Sequence, residues 1–144
     1  MAHESRSHRL VVVLASCFAA AASAATLADP SAYASELDAL VSRYRGERHV
    51  GALARDAKLD GLAREHSRTM TQAHRLSHDG FESRFRRSGY AMCVENVGWN
   101  YPTPSDQLAG WKSSPGHDRN LLDPRVKHAG VGVAGDYITF IACR

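Results

Sequence analysis

The sequence has few cysteines, no excess of either charge and no apolar run long enough to cross a membrane. Three cysteines in 144 residues allow one disulfide with one cysteine left over. A formal net charge of +3 gives no reason to expect nucleic acid or an acidic membrane as a partner. The longest apolar run, LVVVLASCFAAAA, is shorter than the roughly 20 residues of a transmembrane helix, so no transmembrane segment is expected. With no internal repeat and an ordinary apolar fraction of 44%, the chain suits one globular domain.

Residues 1–24 have the pattern of a secretory signal peptide. Arg6 and Arg9 precede the apolar run, and Ala22 and Ala24 form an A-x-A cleavage pattern at its end. An alternative is the segment LASC, which resembles a bacterial lipobox and would leave Cys17 as a lipid-anchored N-terminus. Cleavage there leaves an apolar run of only about seven residues, so cleavage after Ala24 is preferred. Either route predicts a secreted or periplasmic protein that keeps two other cysteines.

Apolar spacing and capping residues predict helices in most of the mature chain. Asp29 and Pro30 form a helix start, and apolar residues then recur at helical spacing until Gly46 supplies a stop. The next stretch, GERHVGALARD, is interpreted as a polar connection. The predicted helices span residues 30–45, 56–72, 81–87 and 105–113.

Extended structure is predicted for residues 93–99 and for two β-rich runs, 131–133 and 138–142, with Gly135 and Asp136 as the turn between the last two. This order of elements favours an α+β fold with a sheet covered by helices. Cys143, at the end of the last strand, can then reach Cys93 on the earlier strand. In an oxidising compartment the pair predicts a disulfide, and its loop of about fifty residues is worth roughly 4 kcal/mol in the chain-entropy model.

The stretch WKSSPGHDRNLL, residues 111–122, is the first candidate site. Pro115 and Gly116 end one helix, and His117 follows at the start of the next, where unpaired backbone N–H groups favour the neutral imidazole that binds metal. Asn120 shares a helical face with His117. By itself the stretch fits equally well a tight turn that Gly116 permits and His117 caps.

Three further polar features have both a structural and a functional interpretation. His66 lies on the apolar face of the second predicted helix and is interpreted as a hydrogen-bonded core histidine. The basic cluster of Arg84, Arg86 and Arg87 is interpreted as a solvated helix face. His78 precedes a predicted turn and is free to point into a cleft.

Five segments, taken in order, carry a resemblance to a known family. They are LDGLAREHSRTM, LSHDGF, CVENVGWNY, WKSSPGHDRNLLDPRVKHAGVGV and YITFIAC. Together they resemble a bacterial member of the CAP superfamily, named for cysteine-rich secretory proteins, antigen 5 and pathogenesis-related 1 proteins and also called the SCP domain. The resemblance covers residues 30–144 and implies a three-layer α-β-α sandwich with a central, largely antiparallel sheet. It also implies a solvent-accessible cleft lined by two histidines and two glutamates.

The resemblance assigns three of those four cleft residues to this chain. His78 matches the first histidine, Glu95 the glutamate of the EN pair, and His117 the histidine of the GH motif. The family's other glutamate falls between the tryptophan and the GH motif, where this chain has KSSP. The three residues can hold Zn²⁺ or another divalent cation weakly, chiefly through His78 and His117, or form a hydrogen-bonded cluster that requires no cofactor. Asn96 and Asn120 are expected to satisfy backbone groups around the cleft.

Two functions follow from the resemblance. The first is a secreted binding or interaction module whose cleft holds a small ligand, a lipid or a peptide, since family members have been linked to sterol or lipid binding and to extracellular signalling or defence. The alternative is a metal-dependent hydrolase in which His78 and His117 hold the ion and Glu95 is a ligand or the general base. Glu95 cannot readily fill both roles, so the binding module is favoured over an enzyme. A serine hydrolase at Ser77 is weaker still, because no oxyanion-hole motif is visible.

Overall fold

The computed structural model describes residues 29 to 144, and its helices begin at capping residues that the sequence marks. Asp29 accepts the N–H of Ser31 at 3.1 Å, and Asp56 accepts the N–H groups of Lys58 and Leu59 at 2.7 and 3.0 Å. The helices are α1 (Pro30–Glu47), α2 (Ala57–Ala73), α3 (Phe81–Ser88), α4 (Pro104–Ser113) and α5 (Pro115–Leu121). The predicted signal peptide, its cleavage site and Cys17 lie outside the described residues.

Two details predicted for the first half of the chain are wrong. Gly46 does not stop the first helix, because the Arg48 N–H still reaches the Tyr44 carbonyl at 3.2 Å and the left-handed residue is His49, with a φ of 57°. The segment interpreted as a polar connection contains a strand, β1 (Ala54–Arg55). A strand of two residues has no periodic pattern of its own, and only its pairing partner defines it.

The other predicted elements are present, with small shifts at their ends. The remaining strands are β2 (Cys93–Trp99), β3 (His128–Ala134) and β4 (Tyr137–Cys143). The sheet has the order β1-β3-β4-β2, in which β3 and β2 both run antiparallel to β4 and only the β1 pairing is parallel. The prediction of a largely antiparallel sheet is therefore confirmed. Its register places Cys93 opposite Cys143, and the predicted disulfide between them is present.

Helices cover both faces of this sheet, because successive side chains of β4 point to opposite layers. Phe140 is buried with Leu37 of α1 and Trp111 of α4, while Ile141 is buried with Leu59 of α2. The layer of α1, α4 and α5 and the layer of α2 and α3 thus enclose the sheet, which confirms the three-layer sandwich. Between residues 29 and 144, no helix is both long enough and apolar enough to cross a bilayer.

Candidate functional site: a cleft of histidines and a glutamate

The candidate site lies at the outer edge of β2, where the loop between α2 and α3 meets α5. Glu95 is the third residue of β2, and its carboxylate points to the α2 and α3 side of the sheet. His78 reaches this carboxylate from the loop, and His117 approaches from α5, of which it is the third residue. The ring centres of the two histidines are 6.5 Å apart. The structure therefore brings together the three residues that the resemblance assigns to the cleft.

The Glu95 carboxylate is bound by protein groups on both oxygens. Arg84 donates from Nε to Oε2 at 2.7 Å and from Nη2 to Oε1 at 2.8 Å, and His78 Nδ1 lies 3.0 Å from Oε1. The Glu95 side chain is only 2% exposed. Burial by itself raises the pKa of Glu95, but the hydrogen bonds from His78 and Arg84 outweigh it and leave the pKa below its usual value. Glu95 is therefore an anion that is already fully paired.

The interpretation of Arg84, Arg86 and Arg87 as one solvated helix face is wrong for Arg84. Its side chain is buried, and beyond Glu95 it also donates from Nη1 to the Asp79 carbonyl at 2.7 Å. The physical reason lies in helix geometry, since residues three and four apart share a face and Arg84 follows the inward-packed Phe81 by three positions. Arg86 and Arg87 lie on the exposed side of α3, as predicted. The spacing from Phe81 was the signal that could have identified Arg84.

His66 lies beneath the loop that carries His78 and is buried, as predicted. Its Nε2 lies 2.7 Å from the Ser77 carbonyl oxygen, which can only accept, so Nε2 carries the proton. Burial is the largest effect on its pKa and lowers it, so the ring is neutral. The 4.0 Å separation between His66 Nε2 and Glu95 Oε1 is therefore not an ion pair. His66 holds the loop in place.

The edge of β2 is closed by side chains from α4 and α5. Asn120 donates from Nδ2 to the Glu95 carbonyl at 3.1 Å and to Asn96 Oδ1 at 2.9 Å, and Asn96 donates to the His117 carbonyl at 3.1 Å. Trp111 Nε1 donates to the carbonyl of Val97, the residue after Asn96, at 2.9 Å. The two asparagines thus tie α5 to β2 and hold the backbone at His117.

The pKa of His117 is lowered, which agrees with the neutral imidazole that the sequence predicts. The main cause is burial of the ring, and the neighbouring His78 is the second. The expected cause, the start of a helix, is not the leading one. The two cleft histidines do not share a counter-ion, because the Glu95 carboxylate contacts His78 and not His117.

A divalent ion does not fit these residues as a three-ligand site. Within residues 29–144, no group of three or more His, Cys, Asp or Glu side chains is placed to hold one. Glu95 is committed to Arg84 and His78. Two imidazoles that share a tetrahedral Zn²⁺, with Zn–N bonds of about 2.0–2.1 Å, have ring centres roughly 5 Å apart, which is less than the 6.5 Å between His78 and His117. These two rings would have to approach each other before they could share a tetrahedral Zn²⁺ ion.

Comparison of sequences relates the chain to one family. The family described as CAP, the cysteine-rich secretory protein family, matches residues 39–143. The uncharacterized protein YkwD of Bacillus subtilis (strain 168) is 28% identical over 109 residues, which make up 71% of this chain and 42% of that protein. The chain therefore spans less than half the length of this curated relative.

Comparison of structures gives the same grouping. An extracellular protein containing a SCP domain from Bacillus anthracis is 25% identical, with a TM-score of 0.76 over 80% of this chain and 41% of that one. An outer surface protein from Borrelia burgdorferi is 14% identical, with a TM-score of 0.74 over 81% of this chain and 96% of that one. A cysteine-rich secretory protein from Staphylococcus aureus is 18% identical, with a TM-score of 0.74 over 82% and 40%. The last two share the fold alone.

Proposed function

Because this chain belongs to the CAP, or cysteine-rich secretory protein, family, we propose that it is an exported binding or interaction module whose ligand site is the cleft between His78 and His117. The ligand is a small molecule, a lipid or a peptide, and its binding requires no metal. The observation that carries this proposal is the paired state of Glu95, which leaves the cleft with imidazoles and without a free carboxylate from β2.

The same observation weighs against the hydrolase. A hydrolytic metal site needs ligands that hold the ion, a water on an open position and usually a separate base for that water. Glu95 is the carboxylate that the resemblance offers for either role, and Arg84 and His78 already bind both of its oxygens. The two histidines alone would hold an ion weakly and would lack a base.

Zinc titration separates the two functions. Calorimetry is expected to show weak Zn²⁺ binding that is lost in His78→Ala and in His117→Ala and that falls on acidification, because metal binds neutral imidazole. Peptide and ester substrates should not be hydrolysed with or without Zn²⁺. Zinc-dependent turnover that disappears in folded Glu95→Gln would establish the hydrolase. Native mass spectrometry of the exported protein tests the module itself, since a retained ligand should be lost in His117→Ala.

Export is proposed from the leader and from the Bacillus anthracis relative, which is described as extracellular. We expect cleavage after Ala24, because the A-x-A pattern follows a full-length apolar run. Intact mass of the protein recovered from the periplasm or medium should match a chain that begins at Ala25. A mass that corresponds to a chain beginning at Cys17 with acyl chains attached would instead identify a lipoprotein.

A further inference from the structure

We propose that Glu95 and Arg84 act together as positioning residues that fix the tautomer of His78, with the proton on Nδ1 and a lone pair on Nε2. The cleft then accepts a ligand group that donates a hydrogen bond, such as a hydroxyl or an amine. This inference deepens the proposed function, since it treats the same cleft as the ligand site and names the kind of group that the site takes.

The first step is the contact between Glu95 and His78. Glu95 is a buried carboxylate, and a carboxylate only accepts hydrogen bonds. The 3.0 Å contact to its Oε1 therefore requires a proton on His78 Nδ1. A neutral imidazole carries one proton, so Nε2 is left with its lone pair. Since half of the His78 side chain is exposed and Nδ1 faces the buried carboxylate, Nε2 is the ring nitrogen left to a ligand.

The second step is the guanidinium of Arg84, which holds both partners of that contact. Its Nε and Nη2 bind the two Glu95 oxygens, and its Nη1 and Nη2 reach the carbonyls of Asp79 and His78 at 2.7 and 3.4 Å. The same planar group thus fixes the carboxylate and the backbone segment that carries the imidazole.

His66 gives an internal reference for this assignment. Its contact with the Ser77 carbonyl at 2.7 Å places its proton on Nε2, which is the opposite tautomer. Two neighbouring histidines of the same protein are therefore expected to show different nitrogen chemical shifts. Single His→Gln variants at positions 66 and 78 assign the two signals.

The first test measures the tautomers directly. Nitrogen-15 NMR of the folded protein at pH about 8.5, well above the ordinary histidine pKa of about 6.5, should show His78 protonated on Nδ1 and His66 protonated on Nε2. A proton on Nε2 of His78 in the wild-type protein would overturn the proposal without any variant.

The Glu95→Leu variant tests the role of the carboxylate, because leucine cannot accept the proton of His78 Nδ1. His78 should then move its proton to Nε2, the commoner tautomer of a free imidazole, while His66 is unchanged. Zn²⁺, used as a probe of the Nε2 lone pair, should bind about 10–100-fold more weakly even though Glu95 is not a ligand. An unchanged tautomer in folded Glu95→Leu would contradict the assignment, and unchanged zinc affinity would reject Nε2 as the group that meets ligands.

The Arg84→Met variant tests the role of Arg84. Without the guanidinium the Glu95 carboxylate is no longer fixed against Nδ1, so His78 should populate both tautomers. The matched control, Arg86→Met, alters an exposed arginine of the same helix and should keep the Nδ1 tautomer. If both variants behave alike, Arg84 is not the determinant. Should a single variant fail to fold, Arg84→Met with Glu95→Leu removes both buried charges and should move the His78 proton to Nε2. The tautomer readouts do not depend on a ligand or on turnover, so they can fail while the binding module stands, and the reverse also holds.

Discussion

Arg84 and Glu95 form an ion pair whose side chains are 8% and 2% exposed, and a buried pair responds differently to the loss of one member than to the loss of both. Removing one partner strands a charge in the interior, where its desolvation is no longer offset. Arg86 offers the opposite case on the same helix, because its pair with Glu82 is 3.9 Å long and both side chains are largely exposed.

We expect Arg84→Met to lower the free energy of unfolding by about 3–5 kcal/mol, because Glu95 keeps its charge but loses its main donors. Arg86→Met should change it by about 0.5 kcal/mol or less. Urea unfolding at neutral pH measures both. Equal effects of the two substitutions would show that the buried pair does not hold α3 against β2.

At this residue scale the sequence predicts three residues that the structure places together, but not the arginine that pairs with one of them. His78, Glu95 and His117 were assigned because short motifs mark them. Arg84 was missed because its partner Glu95 lies 11 residues on, in a different element, and because two exposed arginines follow it. Its pairing depends on how α3 docks, which composition alone does not reveal.

At the scale of elements, α2 packs on β3 through glycines that leave no room for a side chain. A Cβ on Gly132 would lie 2.0 Å from the Arg64 backbone nitrogen, and one on Gly130 would lie 2.2 Å from the Leu59 carbonyl carbon. Helix and strand thus meet through their backbones. Gly61, which lies on α2 itself, has open space around its Cβ position.

We expect Gly132→Ala to destabilise the protein by about 1–3 kcal/mol or more, because the clash is with helix backbone that cannot rotate away. Gly61→Ala, the matched control, should stabilise it by about 0.5–1 kcal/mol, because alanine is the better helix former. Thermal or urea unfolding of the two variants distinguishes them by sign. A neutral Gly132→Ala would mean that α2 can move off the sheet at little cost.

The disulfide joins the start of β2 to the end of β4, and its cysteines are 50 residues apart. We expect the double variant Cys93→Ser and Cys143→Ser to lose about 4 kcal/mol, since the open chain gains conformational entropy when it unfolds. Thiol titration of the denatured, unreduced mature protein should find no free thiol. Two titratable thiols would show that the exported form lacks this disulfide.

Elements with a local signal could be predicted, and elements defined by a partner could not. Local sequence predicts both the turn at Gly135 and Asp136 and the helix cap at Asp56, and both are present. The strand β1 exists only because Ala54 pairs with His128 of β3. Gly46 failed as a stop because the residue that turns left-handed after α1 is His49 and not the glycine.

At the scale of the whole molecule, acidification should reduce stability in two separate pH ranges. His66 and His117 have lowered pKa values, chiefly because of burial, so the unfolded chain binds protons more readily than the folded protein does. Their contribution is fully present above the unfolded histidine pKa of about 6.5 and is lost as the pH falls below it. The hydrogen-bonded carboxylates of Asp56 and Glu95 also have lowered pKa values, and their contribution is lost at lower pH, below about 4.

The upper range can be tested at one residue, because His66 is the more deeply buried of the two histidines. Glutamine at this position can still donate to the Ser77 carbonyl from its amide nitrogen, but it does not titrate. We expect His66→Gln to flatten the dependence of unfolding free energy on pH between about 7 and 5, and to leave the loss below about pH 4 unchanged, because that loss comes from carboxylates. Urea midpoints measured at intervals from pH 8 to pH 3 report both ranges. If the variant and the wild type lose stability in parallel between pH 7 and 5, proton uptake by His66 does not contribute, and the acid sensitivity of the fold must arise at the cleft, where His117 would carry it.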